Sequence, residues 1–234
     1  MSEDRIAERY HQLETRIAAA CAACGRNRSD IRVIWVSKTR PVADVEEAIL
    51  AGAREFGENR VQEALDKFLP ERPNVRCHII GPVQSNKLRK AVSVAHSIDS
   101  VSSLDDVIRL EKLCEEMDRR MDVLFQVNTS CEDSKSGIAM EDCAAFLDAL
   151  PRANRLTYKG LMTIGKNTGN PEDSRTGFAW LRDVRDRYTR RDERFAHFSE
   201  LSMGMTDDLE VAVAEGATAL RIGTYLFGNR TYAH

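Results

Sequence analysis

Hydrophobic positions along this chain follow two periodicities. Through residues 1–25, Ile6, Tyr10, Leu13, Ile17, Cys21 and Cys24 recur at steps of three and four, which predicts one amphipathic helix. Gly25 stands where such a helix ends. Beyond it, short runs rich in β-branched residues alternate with helical patterns. The predicted strands are Arg32–Val36, Glu55–Gly57, Arg76–Ile80, Val94–Ile98, Val123–Val127, Thr157–Met162, Phe198–Leu201 and Ala219–Ile222. The predicted helices between them are Val42–Ala51, Val61–Phe68, Asn86–Val92, Ser103–Arg119, Met140–Leu150, Pro171–Tyr188 and Asp207–Glu215. Glu55–Gly57 is the weakest strand signal. Eight strand signals, the first seven each followed by a helix, predict an α/β fold: a single (β/α)8 barrel of the TIM type with an extra N-terminal helix.

A length of 234 residues fits one such barrel, or two small domains. No linker, low-complexity tract or internal repeat interrupts the alternation, so one domain over residues 1–234 is expected. The net charge of -3 gives no electrostatic reason to expect nucleic acid. The arginines between Arg182 and Arg194 are interleaved with Asp183, Asp186, Asp192 and Glu193, the pattern of a solvated helix face. No stretch approaches the about 20 uncharged apolar residues of a membrane span. Glu3, Asp4, Glu8 and Glu14 at the N-terminus argue against a secretory or transit leader, so a cytoplasmic protein is expected. Of the six cysteines, only Cys21 and Cys24 have a metal-like spacing, and no second pair completes a zinc site. His11, His96, His197 and His234 show no ligand spacing either, so no metal and only free thiols are expected.

In such barrels the chemistry gathers where strands end and βα loops begin. The first strand leads into Ser37-Lys38-Thr39-Arg40-Pro41. Lys38 should therefore lie at the barrel mouth, partly desolvated. Desolvation favours the neutral amine that attacks an aldehyde. A plain surface lysine fits the position equally well. The last strand runs into Arg221-Ile222-Gly223-Thr224, and closure of a barrel makes it the neighbour of the first. Arg221 is thus expected near Lys38, unless it is a buried arginine paired with an acid across the barrel. The seventh strand leads into Ser202-Met203-Gly204-Met205-Thr206-Asp207-Asp208 and then a helical pattern. Thr206 reads as an N-cap, and Asp207 with Glu210 suits a capping box. A glycine loop opening onto a helix N-terminus is also a ready anion site. A lysine, a guanidinium and a phosphate cradle together fit a phosphorylated aldehyde. Pyridoxal 5′-phosphate is one, with a ring nitrogen that needs a partner; a Schiff-base aldolase acting on a phosphorylated sugar fits as well.

Five groups of strings resemble the pyridoxal phosphate homeostasis protein family, over nearly the whole chain and in the family's order. They are VSKTRP at Val36–Pro41, FGENRVQE at Phe56–Glu63, HIIGPVQSNK at His78–Lys87, SKSG at Ser134–Gly137 with GLMTI at Gly160–Ile164, and LSMGMTDD at Leu201–Asp208 with RIGTYLFG at Arg221–Gly228. The resemblance implies an alanine-racemase-like barrel with Lys38 as the Schiff-base residue. It implies Arg221 facing the pyridine nitrogen, and Ser202, Gly204, Met205, Gly223 and Thr224 around the phosphate. Asn59 would line the same mouth. Thr206 stands where serine is expected, which keeps the hydroxyl. His78 either stacks near the ring or is a satisfied core histidine. Lys87 and Lys135 are either solvated lysines or acceptors of the cofactor during transfer. Neither the cysteines nor Tyr225 are given a function.

The function so implied is to hold pyridoxal phosphate for vitamin B6 homeostasis, with apo forms of pyridoxal phosphate enzymes as recipients. A guanidinium beside the ring nitrogen disfavours the pyridinium and weakens the electron sink that catalysis needs. Racemases of this fold carry a further β-domain after the barrel. The sequence runs only a short way past Arg221, so an open site is expected, suited to loading and release and compatible with a monomer or weak dimer. A pyridoxal-phosphate-dependent racemase is the alternative; it needs a second acid–base group opposite Lys38, which the sequence does not identify.

Overall fold

The computed structural model describes residues 3–70, 72–130, 132 and 136–228, with side chains from Ile6 onward. Lys135, Ser134, Cys131 and His234 lie outside the described residues. The chain opens with α1, Glu3–Ala23, whose Leu13 and Ile17 are fully buried. It ends as expected, with Gly25 at φ +71° and Arg26 N donating back to Cys21 O at 2.9 Å.

Eight parallel strands then close into a barrel. They are β1 (Arg32–Val36), β2 (Glu55–Glu58), β3 (Arg76–Ile79), β4 (Ser97–Val101), β5 (Met121–Asn128), β7 (Leu156–Met162), β8 (Glu200–Ser202) and β9 (Ala219–Ile222). The two-residue β6, Ile138–Ala139, pairs only with β5. Neighbours follow β1-β2-β3-β4-β5-β7-β8-β9, and β9 pairs with β1 in the register Ile34↔Arg221. The helices between strands are α2 (Val42–Leu50), α3 (Val61–Phe68), α4 (Leu88–Val94), α5 (Leu104–Glu116), α6 (Cys143–Asp148), α7 (Arg175–Tyr188) and α8 (Leu209–Ala214), followed by α9 (Thr224–Phe227). Helix α1 packs on α2, α8 and α9.

Strand alternation decides what faces the barrel axis. Trp35 points outward, with its ring 4.9 Å from Tyr10 of α1 and 6.0 Å from Phe227 of α9. Ile34, Val36 and Lys38 therefore take the inward face. By the same rule Leu220 and Ile222 join the outer apolar layer while Arg221 turns inward.

The departures from the predicted elements have local causes. β4 starts at Ser97, not Val94; the apolar run from Val92 to Ile98 serves as helix end and strand start together. Ala95 N caps α4 on Ala91 O at 2.8 Å, and ψ 146° at Ala95 begins the extended stretch. β8 lies slightly later than predicted, at Glu200–Ser202. The helix predicted at Met140–Leu150 shortens to Cys143–Asp148, and Pro171–Ser174 forms a 3-10 turn before α7. Thr206 is not an N-cap. Helix α8 begins at Leu209, and Asp208 takes the cap position, its Oδ1 accepting Met205 N at 2.6 Å. Arg182, Arg185, Arg191 and Arg194 each pair with a carboxylate, as a solvated face should. Among the described residues no helix is long and apolar enough to cross a membrane, and no group of three metal-ligating side chains assembles.

Candidate functional site

A cavity of about 740 Å³ opens at the C-terminal ends of the strands. Lys38, Asn59, Met205, Arg221, Gly223 and Thr224 line it, so six of the nine residues singled out in the sequence meet in one place. The other three are not among its lining residues. Ser202 is fully buried and its hydroxyl accepts from Arg221 NH1 at 3.0 Å. Gly204, at φ +91°, is packed so tightly that a Cβ would come 2.4 Å from Ala212 Cβ. His78 lies within β3 and is buried below the cavity. Lys87 is exposed at the end of a 3-10 turn, away from the lining. Sequence reasoning passed over Tyr225, Asp207 and Gln126, which do line it. Tyr225 was within reach, because it directly follows Thr224 in a matched string.

Arg221 forms the cationic floor. Only 5% exposed, it donates to Ser202 O at 2.7 Å and to Thr163 O at 2.8 Å. Carbonyls and a hydroxyl hold it, so the alternative of an acid paired across the barrel does not apply among the described residues. Burial pulls its pKa down to about 10, with Asp99 and Asp208 acting in the opposite sense. It is still a cation at neutral pH.

The phosphate-cradle reading divides. The Met205 amide is already committed to Asp208. In the first turn of α9, Leu226 N and Phe227 N donate to Gly223 O at 3.0 Å, which leaves the amides of Thr224 and Tyr225, two residues that border the cavity, for another acceptor. Gly81 closes the opposite rim; a Cβ there would meet the Asn59 carbonyl oxygen at 2.6 Å, so glycine is required for this close approach.

Under the floor lies a buried charged group that the sequence did not reveal. His78, 3% exposed, has Nε2 3.2 Å from Glu55 Oε2 and Nδ1 3.6 Å from Asp99 Oδ2. Neither nitrogen achieves good hydrogen-bond geometry, so the attraction is chiefly electrostatic. Burial opposes the imidazolium, but Asp99 and Glu55 outweigh it and push the pKa up to about 9. Folded His78 thus keeps its proton to higher pH than the unfolded chain does, whose value is 6.5. The resulting stabilisation is complete below about pH 6.5 and is lost as pH rises through about 9, and is of order 3 kcal/mol. Thermal melts across that range should fall in the wild type and stay flatter in His78→Gln. Parallel curves for the two proteins would contradict a protonated His78.

The barrel and its mouth place the chain in a defined class. Residues 9–231 match the family described as alanine racemase, N-terminal domain. An alanine racemase from Clostridium difficile shares the fold at TM-score 0.70 and 12% identity, over 97% of this chain and 56% of the racemase. Two structures of PipY from Synechococcus elongatus are much closer. The form without PLP superposes at TM-score 0.84 with 36% identity, and the form with PLP bound at 0.82 with 35%; each match covers 95% of this chain and 100% of PipY. The pyridoxal phosphate homeostasis protein of Pseudomonas aeruginosa is 42% identical over 97% of this chain and 96% of its own length. That of Escherichia coli K12 is 37% identical over 97% and 98%. The chain belongs to the pyridoxal phosphate homeostasis protein family.

Proposed function

We propose that this protein holds pyridoxal 5′-phosphate as a Schiff base on Lys38 and serves intracellular vitamin B6 homeostasis, storing or passing on the cofactor rather than driving fast catalysis. The observation that carries this reading is the meeting of Lys38 and the buried Arg221 cation in one cavity, with the first turn of α9 on its wall. Its volume lies in the range of small-ligand sites, roughly 300–1,000 Å³. The donor set also fits the cofactor: an amine for the aldehyde, a cation for the ring nitrogen, and helix-turn amides with the Thr224 hydroxyl for the phosphate. The PLP-bound state of PipY, at 35% identity, supports the same reading.

When bound, the cofactor supplies an aldehyde that condenses with an amine, with loss of water. Lys38 provides that amine from the inward face of the β1 end. Asn59 and Met205 wall the cavity, while Gly223 and Thr224 would hold the phosphate. Arg221 would face the ring nitrogen and, being cationic, would oppose its protonation. A weakened electron sink suits storage. Ser202 contributes through Arg221, Gly204 through packing, and His78 through charge beneath the floor. Barrel and α1 act as one domain in the cytoplasm, as a monomer or weak dimer, and apo forms of pyridoxal phosphate enzymes receive the cofactor.

The test is the visible spectrum of purified protein before and after borohydride, followed by peptide mass mapping. A yellow band that bleaches, with a reduced pyridoxyl adduct on Lys38, is expected. Restored activity when loaded protein is mixed with an apo-enzyme would support the carrier role. A colourless protein that takes up no added pyridoxal phosphate would overturn the proposal.

A further inference from the structure

A second lysine lies close behind the first. Lys67, on the last turn of α3, is 5% exposed and does not line the cavity. Its Nζ donates to Ser37 O at 2.8 Å, to Glu58 Oε1 at 2.8 Å and to Glu63 Oε2 at 3.1 Å. Three acceptors thereby use the three N–H bonds of the ammonium. The fully buried Glu58 also accepts from Ser37 Oγ at 2.7 Å. Glu63 Oε2 accepts the Thr39 amide at 2.6 Å.

These contacts converge on the residues that flank Lys38. Ser37 is held by its carbonyl and its hydroxyl, and Thr39 by its amide. Thr39 sits in the left-handed region at φ 64°, which a β-branched residue adopts only when its surroundings impose it. A buried ion cluster is a poor general stabiliser, because desolvation offsets the attraction. Its value here is geometric. It fixes the chain on both sides of one side chain at the end of an inward-facing strand.

We propose that Lys67 is a positioning residue for Lys38: with Glu58 and Glu63 it holds the loop between β1 and α2 so that the Lys38 amine meets the aldehyde in the cavity. This rests on the reading of Lys38 as the Schiff-base residue. The cluster acts on the covalent step and leaves non-covalent binding at the phosphate and ring contacts intact. Lys67 itself, with its donors committed, is kept from competing for the aldehyde.

Two variants separate these effects. Lys67→Met removes the hub. Glu63→Gln, at a more exposed position, keeps the Glu58–Lys67 pair and weakens the hold on Thr39. Apo protein is mixed rapidly with pyridoxal phosphate, and Schiff-base formation is followed by absorbance. Binding of 4′-deoxypyridoxine phosphate, which has no aldehyde, is measured in parallel. A slowing of about 10- to 100-fold in the covalent step is expected, since small misplacements of a reacting group cost that much, with analogue binding unchanged. If Lys67→Met fails to fold, Glu63→Gln decides. Wild-type rates in folded Glu63→Gln would overturn the proposal, as would parallel losses in rate and analogue binding. A wild-type protein that forms no adduct on Lys38 would overturn the underlying reading and this inference with it.

Discussion

Lys38→Ala should fold as the wild type does and form no borohydride-reducible adduct with pyridoxal phosphate. Lys38 is half-buried and follows the end of β1, outside the apolar layer between strands and helices. Truncating it opens no cavity in that layer, so the stability change should stay within about 1 kcal/mol. The cluster that holds its neighbours depends on Ser37 and Thr39 and survives the substitution. What disappears is the nucleophile. Lys67 cannot replace it without giving up three acceptors, and Lys87 is exposed and lies away from the cavity. The proposed phosphate and ring contacts would remain, so the cofactor should still bind, dialysable and unreduced. Wild-type amounts of reducible adduct in the variant, mapped to any lysine, would refute the assignment.

The pairing of Lys38 with Arg221 was legible because it needs only two facts from the sequence: that each follows or ends a strand, and that eight strands close. Register then places Arg221 beside Ile34, which shares its strand face with Lys38. The charge beneath the floor was not legible. Periodicity records which face of a strand meets the apolar layer, but not which polar residue finds which partner across the barrel axis. His78 and Asp99 are 21 residues apart, and β4 carries Asp99 in a strand buried at every position. Such a strand shows no alternation to read. The partners of Ser202 and Gly204 within the protein were hidden for a related reason. Their motif marks a loop near a phosphate, yet β8 turns Ser202 onto the Arg221 guanidinium, and α8 packs against Gly204. Asp208 stands at the N-cap position of the same short helix, and its carboxylate accepts the Met205 amide, which the motif had suggested for an anion. Glu58, Glu63 and Lys67 lie within or just after the matched string FGENRVQE, so their closeness in sequence was visible. Their joint hold on the Lys38 loop appears only once β1, β2 and α3 are packed.

Arg221→Gln should change the protein's spectrum more than its stability. The guanidinium is buried at a cost, which is why its pKa falls to about 10 even with Asp99 and Asp208 favouring its charge. Removing it relieves that cost but leaves Ser202 O, Ser202 Oγ and Thr163 O short of a donor. Glutamine can satisfy at most part of this set, so a net loss of about 1–3 kcal/mol is expected. Arg221→Glu should be worse, by about 3–5 kcal/mol, since it replaces the cation that offsets Asp99 and Asp208 with a further buried carboxylate. The larger consequence concerns the ring nitrogen. With a fixed cation opposite, protonating that nitrogen means placing two positive charges together in a poorly solvated site. Without the cation, protonation near neutral pH becomes accessible, and the visible band of cofactor-loaded Arg221→Gln should titrate where the wild-type band does not. A strengthened sink should also raise side reactions with added amino acids above the wild-type level. A loaded variant whose spectrum stays flat from about pH 5 to 9 would place the ring nitrogen away from Arg221. The weak-sink argument for a carrier would then have to rest on something other than this arginine.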